Sequence, residues 1–226
     1  MDALFSNFDQ ALRNFSIAFI PAILGIILHE VGHGYAALRQ GDPTAKMMGR
    51  LTLNPLPHID PVGLIVFFLT SLSGSFVFGW AKPVPFDPRY FRNPRQGMMW
   101  VALAGPGTNF LLALICASLL KLTIVFFAPE VWYTNSVYVF FLETLQMGIL
   151  INLGLGFFNL LPVPPLDGSK VLSYFLPRNA AYAYLNFERY GFIILILIIV
   201  SGLPGVVLTP LLQGSYNLIL TLFAIS

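Results

Sequence analysis

His29, Glu30 and His33 stand together as His-Glu-Val-Gly-His, the arrangement in this chain most suited to chemistry. On an α-helix, residues four apart share a face, so both imidazoles can reach one metal ion. Glu30 lies beside them and can take a proton from a water whose pKa a bound zinc has lowered towards neutrality. The five-residue pattern also arises by chance in soluble helices, so its surroundings decide its meaning. Here they are apolar: roughly residues 15–38 form a stretch long enough to span a bilayer. Three ionisable side chains on such a span are costly unless they pair or bind something.

Two histidines do not complete a catalytic zinc site, which normally has three protein ligands and a water. The remaining histidine is His58, in Asn-Pro-Leu-Pro-His-Ile-Asp-Pro, with Asp60 beside it. Asp167 lies in Asn159-Leu-Leu-Pro-Val-Pro-Pro-Leu-Asp-Gly, at the end of a later apolar stretch. Prolines there break the helix and free backbone groups for water or a substrate. An acid at such a broken end can project towards the metal, or it can cap the short helix that Gly168-Ser-Lys begins. On physical grounds alone, Asp167 and the His58/Asp60 pair remain equal candidates for third ligand.

The elements that must position these groups are membrane spans. Of 226 residues, 57% are hydrophobic and only 10% charged, against about 25% charged in a soluble domain. So little charge cannot coat a water-facing surface, and the bilayer is the implied solvent. A net charge of +2, scattered along the chain, excludes nucleic acid as a partner class. Cys116, without a second cysteine, reads as a small buried apolar side chain. The N-terminus carries acids and no basic n-region, so no removable signal peptide is expected. Apolar stretches run over about 15–38, 61–79, 97–120, 136–161 and 190–208, with a weaker one at 209–225 containing Pro210, Gln213, Gly214 and Asn217.

Basic residues set the topology. If 61–79 crossed the membrane, Arg39, Lys46 and Arg50 would lie opposite Lys82, Arg89, Arg92 and Arg95, against the positive-inside rule. If that stretch dips in and returns, ten basic residues share the cytoplasmic side, leaving only Arg13 and Lys121 outside. The expected fold is therefore an all-α polytopic membrane protein of about five to six transmembrane helices. A re-entrant or β-hairpin-like segment is expected near 61–84. Alternating Phe76, Phe78 and Trp80 suggest an edge strand there that could hold an unwound substrate by β-addition.

Taken together, HEVGH and NLLPVPPLDG resemble the paired motifs of the site-2 protease family of intramembrane zinc metalloproteases. Ala104–Phe110, AGPGTNF, is similar to that family's small-residue motif on an intervening helix. Gly79–Val84, GWAKPV, and the HIDP segment resemble a compact bacterial branch. The resemblance reaches across about residues 24–176. It implies one Zn2+ per chain held by His29, His33 and Asp167, with Glu30 as catalytic base and Asn159 hydrogen-bonding the substrate backbone or its developing oxyanion. It further implies a single membrane-embedded peptidase domain over 1–226, with a catalytic core of about 15–176 and C-terminal helices of about 188–225, and none of the inserted PDZ or CBS domains of longer relatives. The implied partners are single-span membrane protein substrates and the lipid bilayer. The implied location is a bacterial cell membrane, with the active site towards the cytoplasm. A metal or solute transporter would need polar residues spread over several helices and internal pseudo-symmetry, which the chain lacks. A non-catalytic metal-binding membrane protein would have no need of Glu30.

Asn109 and Asn152 read as hydrogen bonds between helices. His58 and Asp60 read either as groups orienting a ligand or as shapers of the re-entrant loop.

Overall fold

The computed structural model describes residues 2–73, 79–127 and 135–225, and among these it is helical with no strand. Helix α1 covers Asp2–Gln40, α2 Pro61–Ser73, α3 Pro94–Phe126 and α4 Ser136–Asn159. They are followed by α5 (Asp167–Phe175), α6 (Arg178–Leu185), α7 (Gly191–Val200) and α8 (Leu203–Leu222). Among the described residues four helices are long and apolar enough to cross a membrane: Leu12–Gln40 within α1, then α3, α4 and α8. A fifth crossing results if Arg178–Tyr190 and Ile193–Val200, bent by 79°, span as one. The protein is all-α and a multi-pass membrane protein, as its composition implies.

The stretch 190–208, expected as one span, is divided. Helix α7 stops at Val200, and Gly202 takes φ of 72°, a left-handed conformation that only glycine adopts cheaply. Pro204 in the first turn of α8 favours a restart at that point. The apolar residues after 202 thus join the weaker C-terminal stretch in one 20-residue helix.

The stretch after Pro61 does not cross. Helix α2 has 13 residues, about 20 Å at 1.5 Å per residue, against a hydrocarbon thickness of about 30 Å. Asp60 Oδ1 accepts from Gly63 N at 2.8 Å, which satisfies a free amide at the start of α2. The chain then returns to where α2 began. A methyl group on Gly63 would overlap the backbone oxygen of Trp80, and one on Gly79 would lie 2.6 Å from Phe67 Cβ. Lys82 N donates to His58 O at 2.8 Å. This is the re-entrant alternative of the two expected. Phe76–Phe78 of the expected edge strand lie outside the described residues, and Gly79–Val84 forms no strand.

Small residues bring the three central spans together. An added Cβ on Gly25 of α1 would sit 2.8 Å from Asn152 Oδ1 of α4, and one on Gly148 of α4 would sit 2.8 Å from Cys116 Sγ of α3. In lipid, where burying apolar surface gains nothing, such close approach supplies the dispersion contact that holds helices together. Ala113, Ala117 and Leu120 of α3 pack with Leu145, Ile149 and Leu153 of α4 and Ile219 of α8. Outward residues of α3 such as Leu111, Leu119 and Leu122 remain exposed, which suits contact with acyl chains.

Candidate metal centre

His29 and His33 share the face of α1 that meets α3. Their Nε2 atoms are 3.0 Å apart, and Asp167 Oδ2 lies 3.1 Å from the first and 3.2 Å from the second. Among the described residues these three form a group able to hold a metal ion, with all ligand atoms within 4.8 Å of one another.

Asp167 arrives there because α4 breaks after Asn159. The proline-rich turn reverses the chain, and α5 begins at Asp167 itself. Leu166 occupies the cap position and no side chain caps the helix, so the capping alternative for Asp167 is not realised; its carboxylate faces the imidazoles instead. Gly168 permits this, since any Cβ there would overlap the carbonyls of Leu160 and Leu161 at the end of α4. His58 and Asp60, the other candidates for third ligand, are not brought in. His58 Nε2 is 3.0 Å from Thr52 O, and Asp60 bonds the start of α2.

The far side of each imidazole fixes its tautomer. His29 Nδ1 is 2.6 Å from Asn109 Oδ1, and His33 Nδ1 is 2.7 Å from Val101 O. Asn109 Nδ2 donates to Gly25 O at 3.1 Å and to Asn152 Oδ1 at 3.0 Å, so its oxygen must be the atom facing His29. Both Nδ1 atoms therefore carry the proton, and both Nε2 lone pairs point at the same spot. Asp167 Oδ2, buried and without a hydrogen bond, joins them. Three electron-rich atoms this close repel one another unless a cation lies among them, and two imidazoles with a carboxylate are a common donor set for a divalent metal.

Asn109 and Asn152 do link helices, as expected, but Asn109 also orients His29, which spacing along one helix could not reveal. Asn109→Leu would leave His29 Nδ1 and Asn152 Oδ1 without this partner. Metal affinity is expected to fall by roughly 10- to 100-fold, the usual effect of losing a group that orients a ligand. Competition against a chelator of known affinity measures it.

Glu30 lies on a neighbouring face of α1. Its Oε2 accepts from Val84 N at 2.8 Å. Buried Arg50 anchors the same stretch, with Nη2 donating to Lys82 O at 2.8 Å and Pro83 O at 3.2 Å. The chain leaving the re-entrant segment is thus strapped across Glu30. Asn159, half-buried at the end of α4, donates from Nδ2 to Leu155 O at 3.0 Å and makes no hydrogen bond to the three clustered residues.

The arrangement fits a class: a membrane-embedded protein with a candidate metal centre that joins a helix bearing two histidines to an acid at the broken end of another. The family model for peptidase family M50 matches residues 128–201, which include Asn159 and Asp167. Over 206 residues the chain is 37% identical to "Putative zinc metalloprotease YwhC" of Bacillus subtilis, covering 91% of this chain and 90% of that protein. Over 184 residues it is 32% identical to "Putative zinc metalloprotease Rip2" of Mycolicibacterium smegmatis, covering 79% of this chain and 64% of that one. No solved structure matches. The chain belongs to peptidase family M50, the site-2 protease family of intramembrane metalloproteases.

Proposed function

We propose that the protein is an intramembrane zinc endopeptidase that hydrolyses peptide bonds within or near the transmembrane segments of single-span membrane proteins. One zinc per chain is held by His29, His33 and Asp167, and Glu30 is the general base. The observation that carries this reading is the convergence of two Nε2 lone pairs and Asp167 Oδ2 at 3.0–3.2 Å, beside Glu30. Ligand atoms arranged tetrahedrally at about 2.0–2.1 Å from zinc lie roughly 3.3 Å from one another, so the three residues need little movement to accept it.

Zinc at this centre supplies a Lewis acid that polarises a peptide carbonyl and lowers the pKa of water to about 7. The chain's own residues do the rest. Glu30 takes the proton of the attacking water and passes it to the leaving amine nitrogen. The Val84 N–H fixes one carboxylate oxygen, so Oε1 is the atom that transfers the proton. Asn109 and Val101 O hold the two rings in the tautomer that leaves Nε2 free. Asn159 supports the reading as a donor to the substrate carbonyl through the amide hydrogen not engaged with Leu155 O.

A helical substrate must unwind to expose its carbonyl. Pairing along Gly79–Val84 is limited at its C-terminal half: Lys82 N and Val84 N already bond His58 O and Glu30, and Pro83 has no N–H. The ten-to-two division of basic residues supports a centre on the cytoplasmic side, and the resemblance to the compact bacterial branch supports a bacterial cell membrane.

Purified, zinc-loaded protein is expected to cut single-span substrates. A chelator should stop the reaction completely and added zinc restore it, as followed by gel or mass analysis of the fragments. A chain that holds zinc and leaves every such substrate intact overturns the endopeptidase reading.

A further inference from the structure

The strap across Glu30 reads Lys82-Pro83-Val84-Pro85. Each proline fixes its own φ at about −65° and holds the residue before it extended. The two ends of the strap are tied elsewhere: Lys82 N donates to His58 O at 2.8 Å, and Asp87 N donates to Asp42 Oδ2 at 2.6 Å. Asp42 is itself fully buried and also accepts from Thr44 N. The stretch before the strap, Gly79–Ala81, lies against a cavity lined by Ile23, Ile26 and Ile27 of α1 and by Leu64 and Phe67 of α2, hydrocarbon that offers the backbone no bond. The freedom left in the middle belongs to the peptide group joining Pro83 to Val84, which can rock about ψ of the first and φ of the second.

That group is held at both ends. Its oxygen, Pro83 O, accepts from Arg50 Nη2 at 3.2 Å, and its nitrogen, Val84 N, donates to Glu30 Oε2 at 2.8 Å. The bond is trans, so its C=O and N–H point in opposite directions, and a cation and an anion face each other through one planar amide. Charge at the oxygen end polarises the amide and strengthens donation from the nitrogen end. Arg50 is buried and, among the described residues, its guanidinium forms no ion pair: Nη2 bonds the carbonyls of Lys82 and Pro83, and Nε has no partner. A tether needs only a neutral donor, and a buried charge is costly. Coupling to the carboxylate through the amide is what the charge adds.

We propose that Arg50 is a positioning residue for proteolysis: through the peptide group between Pro83 and Val84 it fixes Glu30 Oε2, and so aims Oε1 at the attacking water. This rests on the proteolytic reading, because it concerns the base of that reaction. Arg50 neither holds the metal nor grips the substrate in this scheme, so its loss slows the chemical step alone. The ties at His58 O and Asp42 keep the strap itself in place when Arg50 is replaced.

Cleavage of a single-span substrate by zinc-loaded variants of the intact chain tests the role, with kcat, KM and zinc content measured for each. Arg50→Met is expected to lower kcat about 10- to 100-fold, the worth of one charge-assisted hydrogen bond, with KM and zinc content unchanged. Arg50→Lys returns the charge without the planar fork and should recover part of that loss. In Glu30→Asp the shorter side chain withdraws from Val84 N. Adding Arg50→Met to it should then cost less than about twofold, whereas independent effects would multiply. Should Arg50→Met fail to fold or to hold zinc, Arg50→Lys carries the test, with kcat several-fold below wild type and no further cost beside Glu30→Asp. An unchanged kcat, a loss confined to KM, or losses that multiply with Glu30→Asp overturn the role. Failure of the proteolytic reading looks different: the wild type binds zinc and cuts no substrate, and the role falls with it.

Discussion

Gly105→Val will strip the protein of its metal and of proteolysis together. Gly105 lies on α3 directly against the two imidazoles. An added Cβ would sit 2.5 Å from His33 Nε2 and Cε1 and 2.6 Å from His29 Cε1, distances that real Cβ contacts do not reach. The rings cannot retreat without breaking the bonds from Nδ1 to Asn109 and Val101 O, which hold them in the metal-binding tautomer. Helix α3 cannot retreat either, since its Asn109 is tied to both α1 and α4. Valine adds two further methyl groups to that clash. The loss of zinc affinity should therefore exceed the roughly 10- to 100-fold expected from removing an orienting group alone. Gly107→Val is the control: two residues along the same helix, an added Cβ meets nothing within 4 Å. Metal analysis of the two purified variants should find the first empty and the second loaded. Full zinc occupancy in Gly105→Val would show that the centre does not depend on this contact.

Part of this was legible in the sequence. Helical spacing alone places His29 and His33 on one face, and the proline-rich run after Asn159 announces a broken helix. The distribution of basic residues argues that 61–79 returns, and the close approach of Trp80 to Gly63 is that return. What stayed hidden has a common physical cause. Periodicity reports which residues of one helix share a face, not what the next helix sets opposite them. The partnership of His29 with Asn109, 80 residues later, and that of Glu30 with Val84 N, 54 residues later, are facts of packing. The same holds for the residue that joins the two histidines, where residue type left Asp167 level with His58 and Asp60. Chain reversal after α4 separates them, and Gly168 makes that reversal sterically possible. The divided stretch at 190–208 escaped for a different reason. A hydropathy window averages over a single left-handed glycine, whereas a helix cannot continue through it.

Glu30→Gln is expected to leave zinc bound and to reduce cleavage by about 100- to 10,000-fold, the usual contribution of a positioned general base. The substitution keeps the side chain's length and shape. Its amide oxygen can still accept from Val84 N, so the strap over residues 82–84 stays in place and the cavity behind it keeps its walls. The three clustered ligand atoms belong to other side chains and do not involve Glu30. What disappears is the ability to accept a proton from water and to return it to the amine nitrogen. A loss of cleavage with one zinc per chain retained therefore isolates proton transfer from metal binding and from substrate positioning. Glu30→Asp separates them further, because it keeps the charge but withdraws the carboxylate by one methylene, away from both Val84 N and the centre. Partial activity in Glu30→Asp beside none in Glu30→Gln would assign the effect to the proton acceptor. Equal cleavage by Glu30→Gln and the wild type would remove Glu30 from the reaction. Loss of zinc from Glu30→Gln would instead make it part of the metal centre.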